Sequence, residues 1–68
     1  MNASIRVNGV EEVLRTATIA ELLGARGIDV ARGLAVAVNG AVVPSRRWRE
    51  TRLAPGDEVE IVRPFGGG

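Results

Sequence analysis

Apolar and polar residues alternate along this chain in short stretches. Ile5 and Val7 fall on one side of Ser4–Val7, the period of a half-buried strand. Asn8-Gly9 follows at once. Both central positions of a type I′ turn need positive φ, which Asn and Gly tolerate best, so a hairpin is predicted there. A second strand returns over residues 10–14, its alternation blurred by Glu11-Glu12. Thr18-Ile19-Ala20-Glu21 has the form of a capping box, in which the Thr hydroxyl accepts the Glu21 N–H and the Glu carboxylate reaches back. A helix is predicted to start there, with Ile19, Leu22 and Leu23 on one face, and to end near Arg26 with Gly27 as its left-handed terminal residue. Gly24 inside it costs about 1 kcal/mol relative to Ala, so packing rather than propensity must hold it.

Residues 34–38 alternate large and small side chains and run into a second Asn-Gly, at Asn39-Gly40. Ala41–Val43 pairs back, and Pro44, which has no N–H for a ladder, closes that strand. Residues 45–52 are polar apart from Trp48 and read as a loop with room for one helical turn. Ala54-Pro55-Gly56-Asp57 is a turn, and Glu58–Val62 leaves it as a strand with Val59 and Ile61 on one side. The order is ββαββ followed by a final β. A late strand in this order commonly inserts beside the first and parallel to it, with the helix across one face. The expected fold class is therefore α+β, a ubiquitin-like β-grasp with a mixed sheet of four to five strands and one main helix.

The last residues are Arg63-Pro64-Phe65-Gly66-Gly67-Gly68. Pro64 lacks a ladder donor and three glycines maximise backbone entropy. The expected organisation is a folded domain over residues 1–63 and a mobile Gly-rich tail over residues 64–68.

Composition narrows the chemistry. Sixty-eight residues make one small domain with a single thin core. With neither Cys nor His, the chain has no disulfide, no thiolate, none of the usual zinc ligands and no imidazole base, so a self-contained enzyme and a metal site are not expected. All nine basic residues are Arg, against eight Asp plus Glu, for a net charge of +1. The pI near 9.0 reflects guanidinium chemistry rather than a basic surface excess, and nucleic acid is not an expected partner. The absence of Lys removes any ε-amine for conjugation. The opening residues lack the apolar core of a signal peptide, and the longest apolar run, residues 34–38, is far too short to cross a membrane, so a cytoplasmic protein is expected.

V-N-G-A-V-V-P at residues 38–44, Trp48, T-R-L-A-P-G-D-E-V-E-I-V at residues 51–62 and the terminal Gly-Gly together resemble the ThiS family, the sulfur carriers of thiamin biosynthesis. The resemblance spans nearly the whole chain, including the early V-N-G and the T-I-A-E-L-L helix start. It implies a β-grasp fold and a cycle on the C-terminal carboxylate. A ThiF-type adenylyltransferase adenylates it with ATP, a sulfur donor such as a cysteine desulfurase converts it to a thiocarboxylate, and a ThiG-type thiazole synthase takes the sulfur. Carried onto this sequence, the functional pair is Gly67 and Gly68. No cofactor is implied on the chain itself; ATP is used by the activating partner. Arg63, Pro64, Phe65 and Gly66 stand where the family varies.

The chemistry suits such a tail. An α-carboxyl, with a pKa of about 3.3–3.7, is an anion at neutral pH and a poor electrophile, so it must be activated before a nucleophile attacks. Glycine has no Cβ to crowd the acyl carbon in a narrow partner cleft. Because the chain has no Cys, any covalent sulfur it carries must sit at the terminus. Phe65 reads as a docking anchor or as a cover over the sheet edge, the anchor being preferred, and Val62 with one side of Ala41–Val43 is expected to offer apolar surface on the sheet face that the helix leaves open. Trp48 is expected to fill a satellite cluster against the sheet. Arg46, Arg47, Arg49 and Arg52 read either as a contact for an acidic partner or as a solvated loop. Two other functions fit the pattern: a carrier like the small subunit of molybdopterin synthase, and a β-grasp binding module with an inert tail.

Overall fold

The computed structural model describes residues 3–28 and 33–63. Strand β1 (Ser4–Val7) turns through Asn8-Gly9 into β2 (Val10–Val13), and helix α1 (Ile19–Ala25) follows. Strands β3 (Ala35–Val38) and β4 (Ala41–Val43), a 3-10 turn at Ser45–Arg47 and β5 (Glu58–Val62) complete the described residues. Both Asn-Gly pairs adopt the predicted turn, with φ of 51° and 83° at Asn8 and Gly9 and 52° and 83° at Asn39 and Gly40. The sheet has the order β2-β1-β5-β3-β4, with β5 parallel to β1 and antiparallel to β3. This is the expected β-grasp arrangement. The second and third strands are each one residue shorter than the sequence pattern indicated, because Leu14 and Leu34 pack against the core from the adjoining loops.

The start of α1 has a partner for each of its first N–H groups, which have none within the helix. Glu21 N donates to Thr18 Oγ1 at 3.2 Å, Ile19 N to the Thr51 carbonyl and Ala20 N to the Trp48 carbonyl, both at 3.1 Å. The Glu21 carboxylate reaches back to Ala17 N at 3.0 Å, one residue before the cap. The helix ends in a Schellman motif: Ile28 N bonds Leu23 O, Gly27 N bonds Gly24 O, and Gly27 has φ 69°. Arg26 beyond its end holds both Glu12 carboxylate oxygens at 2.9 Å, clipping the helix to the edge strand β2.

The core lies between α1 and one face of the sheet. Ile5, Val7, Val36, Val59 and Ile61 meet Ile19, Leu22 and Leu23 there, with Trp48 and Leu53 closing the side. Trp48 departs from expectation. It is 5% exposed and belongs to the main core rather than to a satellite cluster, and its Nε1–H donates to the Val43 carbonyl at 2.8 Å. The physical reason is the 3-10 turn after Pro44, which carries the chain back across the end of β4. Among the described residues no helix is long and apolar enough to cross a membrane.

Candidate functional site

The pairing registers define the open face of the sheet. Since Val59 and Ile61 point to the core, Glu58, Glu60 and Val62 point away from it, and their neighbours Ala35, Ala37 and Val42 share that side. Val62 is 63% exposed and Val42 76%, diagonally placed across β3 with only alanines between them. This is the apolar patch predicted from Val62 and the Ala41–Val43 strand. The other half of the face is charged: Glu11, Glu58 and Glu60 with Arg6, whose guanidinium lies 3.8 Å from Glu58. Apolar surface is thereby concentrated at the end of the face from which β5 leads toward residues 64–68.

β5 is the centre of the sheet, flanked by β1 on one side and β3 on the other. Its final residues are held from both sides. Val62 pairs with Ala35 of β3. On the β1 side the neighbouring strand has already ended in its turn, yet Ile61 N donates to Asn8 Oδ1 at 2.8 Å and Asn8 Nδ2 donates to Ile61 O at 3.3 Å. Asn39 does the same kind of work at the other end of the strand, accepting from Glu58 N at 3.0 Å and donating to Asp57 Oδ1 at 3.0 Å. The sequence reading assigned these asparagines to the turns alone. The available signal was their identity: a side-chain amide carries both a donor and an acceptor, which neither Asp-Gly nor Gly-Gly, the other sequences favoured in this turn, supplies at its first position.

The Arg-rich segment lies elsewhere, on the helix side. Arg46 and Arg49 line an open depression together with Gly24, Ile28 and Trp48, and Arg47 pairs with Glu50 at 3.1 Å. Arg52 forms a single antiparallel bridge with Thr18 that fastens the loop to the helix start. These arginines are therefore not gathered around the apolar patch. The expectations for Phe65, Gly66, Gly67 and Gly68, and the division between residues 1–63 and 64–68, lie outside the described residues.

The open-faced sheet with one crossing helix and a central last strand defines a ubiquitin-like β-grasp protein. The ThiS family model matches residues 2–68, and the chain belongs to that family. A crystal structure of a thiamine biosynthesis protein (ThiS) from Geobacter metallireducens superposes with a TM-score of 0.78 at 31% identity, covering 96% of this chain and 99% of that one. A solution NMR structure of a thiamine biosynthesis protein from the same organism gives a TM-score of 0.77 at 32% identity, over 100% of this chain and 88% of that one. No curated protein sequence matches the chain.

Proposed function

We propose that this chain is a sulfur carrier for thiazole formation in thiamin biosynthesis, with the Gly68 carboxylate as its reactive group. A carboxylate oxygen attacks the α-phosphorus of ATP in the site of a ThiF-type adenylyltransferase, forming the acyl adenylate and releasing pyrophosphate. The persulfide of a cysteine desulfurase or similar sulfur donor then attacks the acyl carbon, and a thiol reductant cleaves the resulting acyl disulfide, leaving the donor's thiol and the reductant's disulfide. AMP leaves and the thiocarboxylate remains, to be spent by a ThiG-type thiazole synthase. The chain is thus a co-substrate rather than an enzyme, and its chemistry belongs in the cytoplasm with its partners.

The observation that carries this reading is the family match, which runs through the glycines to residue 68. The geometry supports it: β5 leads from the centre of the sheet toward Gly66, Gly67 and Gly68, beside an exposed apolar patch at Val62 and Val42. Residues 64–68 act as a tail that enters the partner's cleft, and Phe65 with Val62 anchors the partner outside it. Six residues follow Val62, a reach of at most roughly 20 Å.

The test is intact mass after incubation with a ThiF-type enzyme, ATP, a sulfur donor and a thiol reductant. The full chain gains the difference between sulfur and oxygen, and a chain lacking Gly68 does not. A truncated chain that still gains sulfur refutes the assignment.

A further inference from the structure

Asn8 stands at the one place where the ladder between β1 and β5 runs out. Arg6 N bonds Asp57 O and Asn8 N bonds Val59 O, both at 2.9 Å, so alternate residues of β5 turn their backbone groups toward β1. The next in that series is Ile61. By then β1 has become the Asn8-Gly9 turn, and no backbone group of β1 continues the ladder alongside it. Ile61 is only 7% exposed, and an unpaired backbone N–H or carbonyl there carries a desolvation penalty. The Asn8 amide meets both groups at once, and serves as one further ladder rung made from a side chain.

We propose that Asn8 is a positioning residue for the reaction at the chain end: its amide fixes the last turnward rung of β5 and so sets the point from which residues 64–68 depart. The role rests on the carrier function above. In that reaction the docked surface governs affinity, whereas placement of the carboxylate against the α-phosphorus governs the rate of the bound complex. A looser departure point leaves the docking face intact and lowers the fraction of bound chains with the carboxylate in line. Asn39 supplies the matched control. It sits in the same turn type, clamps the same strand, and grips Glu58 at the end remote from residue 68.

The experiment uses full-length wild type, Asn8→Gly, Asn8→Asp and Asn39→Gly. Glycine accepts the positive φ of either Asn, so each turn is kept while its amide is lost. Asp at residue 8 retains the acceptor for Ile61 N–H and loses the donor. Amide hydrogen exchange is read at Ile61 and Glu58, and pyrophosphate release is followed against carrier concentration with a ThiF-type adenylyltransferase and ATP. Asn8→Gly loses both side-chain hydrogen bonds to Ile61, and is expected to speed exchange at Ile61 and to lower kcat roughly 3- to 10-fold with KM nearly unchanged. Asn8→Asp, which sets a carboxylate oxygen against the Ile61 carbonyl in place of the amide donor, does not restore the wild-type kcat. Asn39→Gly speeds exchange at Glu58 and leaves kcat alone. The positioning role is overturned if Asn8→Gly keeps the wild-type kcat, if its loss appears in KM alone, or if Asn39→Gly loses as much. A wild type that yields no pyrophosphate removes the carrier reading and this role with it; a competent wild type beside an unimpaired Asn8→Gly removes only this role.

Discussion

The indole nitrogen of Trp48 lies 2.8 Å from the carbonyl oxygen of Val43, and the Trp48 carbonyl itself accepts the N–H of Ala20 at 3.1 Å. One residue thus joins the end of β4 to the first turn of α1 while filling the side of the core. Trp48→Phe keeps most of the ring volume and removes the Nε1–H bond to the Val43 carbonyl, which should destabilise the fold by about 0.5–1.5 kcal/mol. Trp48→Ala should lose about 3–5 kcal/mol, comparable to the whole stability of a core this small. Urea titration followed by circular dichroism measures both. A phenylalanine variant as stable as wild type would mean that the hydrogen bond contributes nothing.

Two glycines of the α1 region should respond to alanine with opposite signs. Neither Gly24 nor Gly27 has an atom within 4 Å of where a Cβ would stand. Gly24 has ordinary helical backbone, so Gly24→Ala should stabilise by roughly 0.5–1 kcal/mol. Gly27 has φ 69° in the Schellman motif, and Gly27→Ala should destabilise by about 1 kcal/mol. Thermal midpoints of the two variants settle the signs.

The cap of α1 offers a separate check. Thr18→Ala removes the acceptor of Glu21 N and should destabilise by about 1 kcal/mol. Thr18→Ser preserves the hydroxyl and should restore most of that loss in the same denaturation assay.

Val42→Asp and Val62→Asp alter the open face with little packing at stake. Both side chains are exposed, so folding stability should change by no more than about 0.5 kcal/mol at Val42, where the strand is an edge, and little more at Val62. Under the carrier function KM for the adenylyltransferase should rise about tenfold, as for a contact worth more than 1 kcal/mol. Unchanged KM in both variants would move the docking surface elsewhere.

The features that proved legible in the sequence are those whose cause is local. Positive φ at Asn8-Gly9 and Asn39-Gly40, the Thr18 cap and the alternation of Glu58–Val62 each depend on residues a few positions apart. β2 was faint because it is an edge strand, and three of its four residues are exposed. Trp48 was expected in a satellite cluster rather than the main core, and Leu53 and the two asparagine amides had no place assigned, since their partners are chosen by tertiary folding. Ile61 is 53 positions from the Asn8 amide that holds it. Of the candidate site, the apolar patch followed from strand period and the single helix, whereas the clamp at its edge needed the topology.

The place of β5 also governs when the molecule exists at all. During synthesis the hairpins β1-β2 and β3-β4 emerge first, and isolated hairpins are marginal in water. Nothing joins them into one sheet until Glu58–Val62 arrives between them. A ribosome that stops early therefore releases a chain that cannot assemble its sheet and is open to proteolysis. Folding itself thus screens for chains translated through the segment that leads to the glycines.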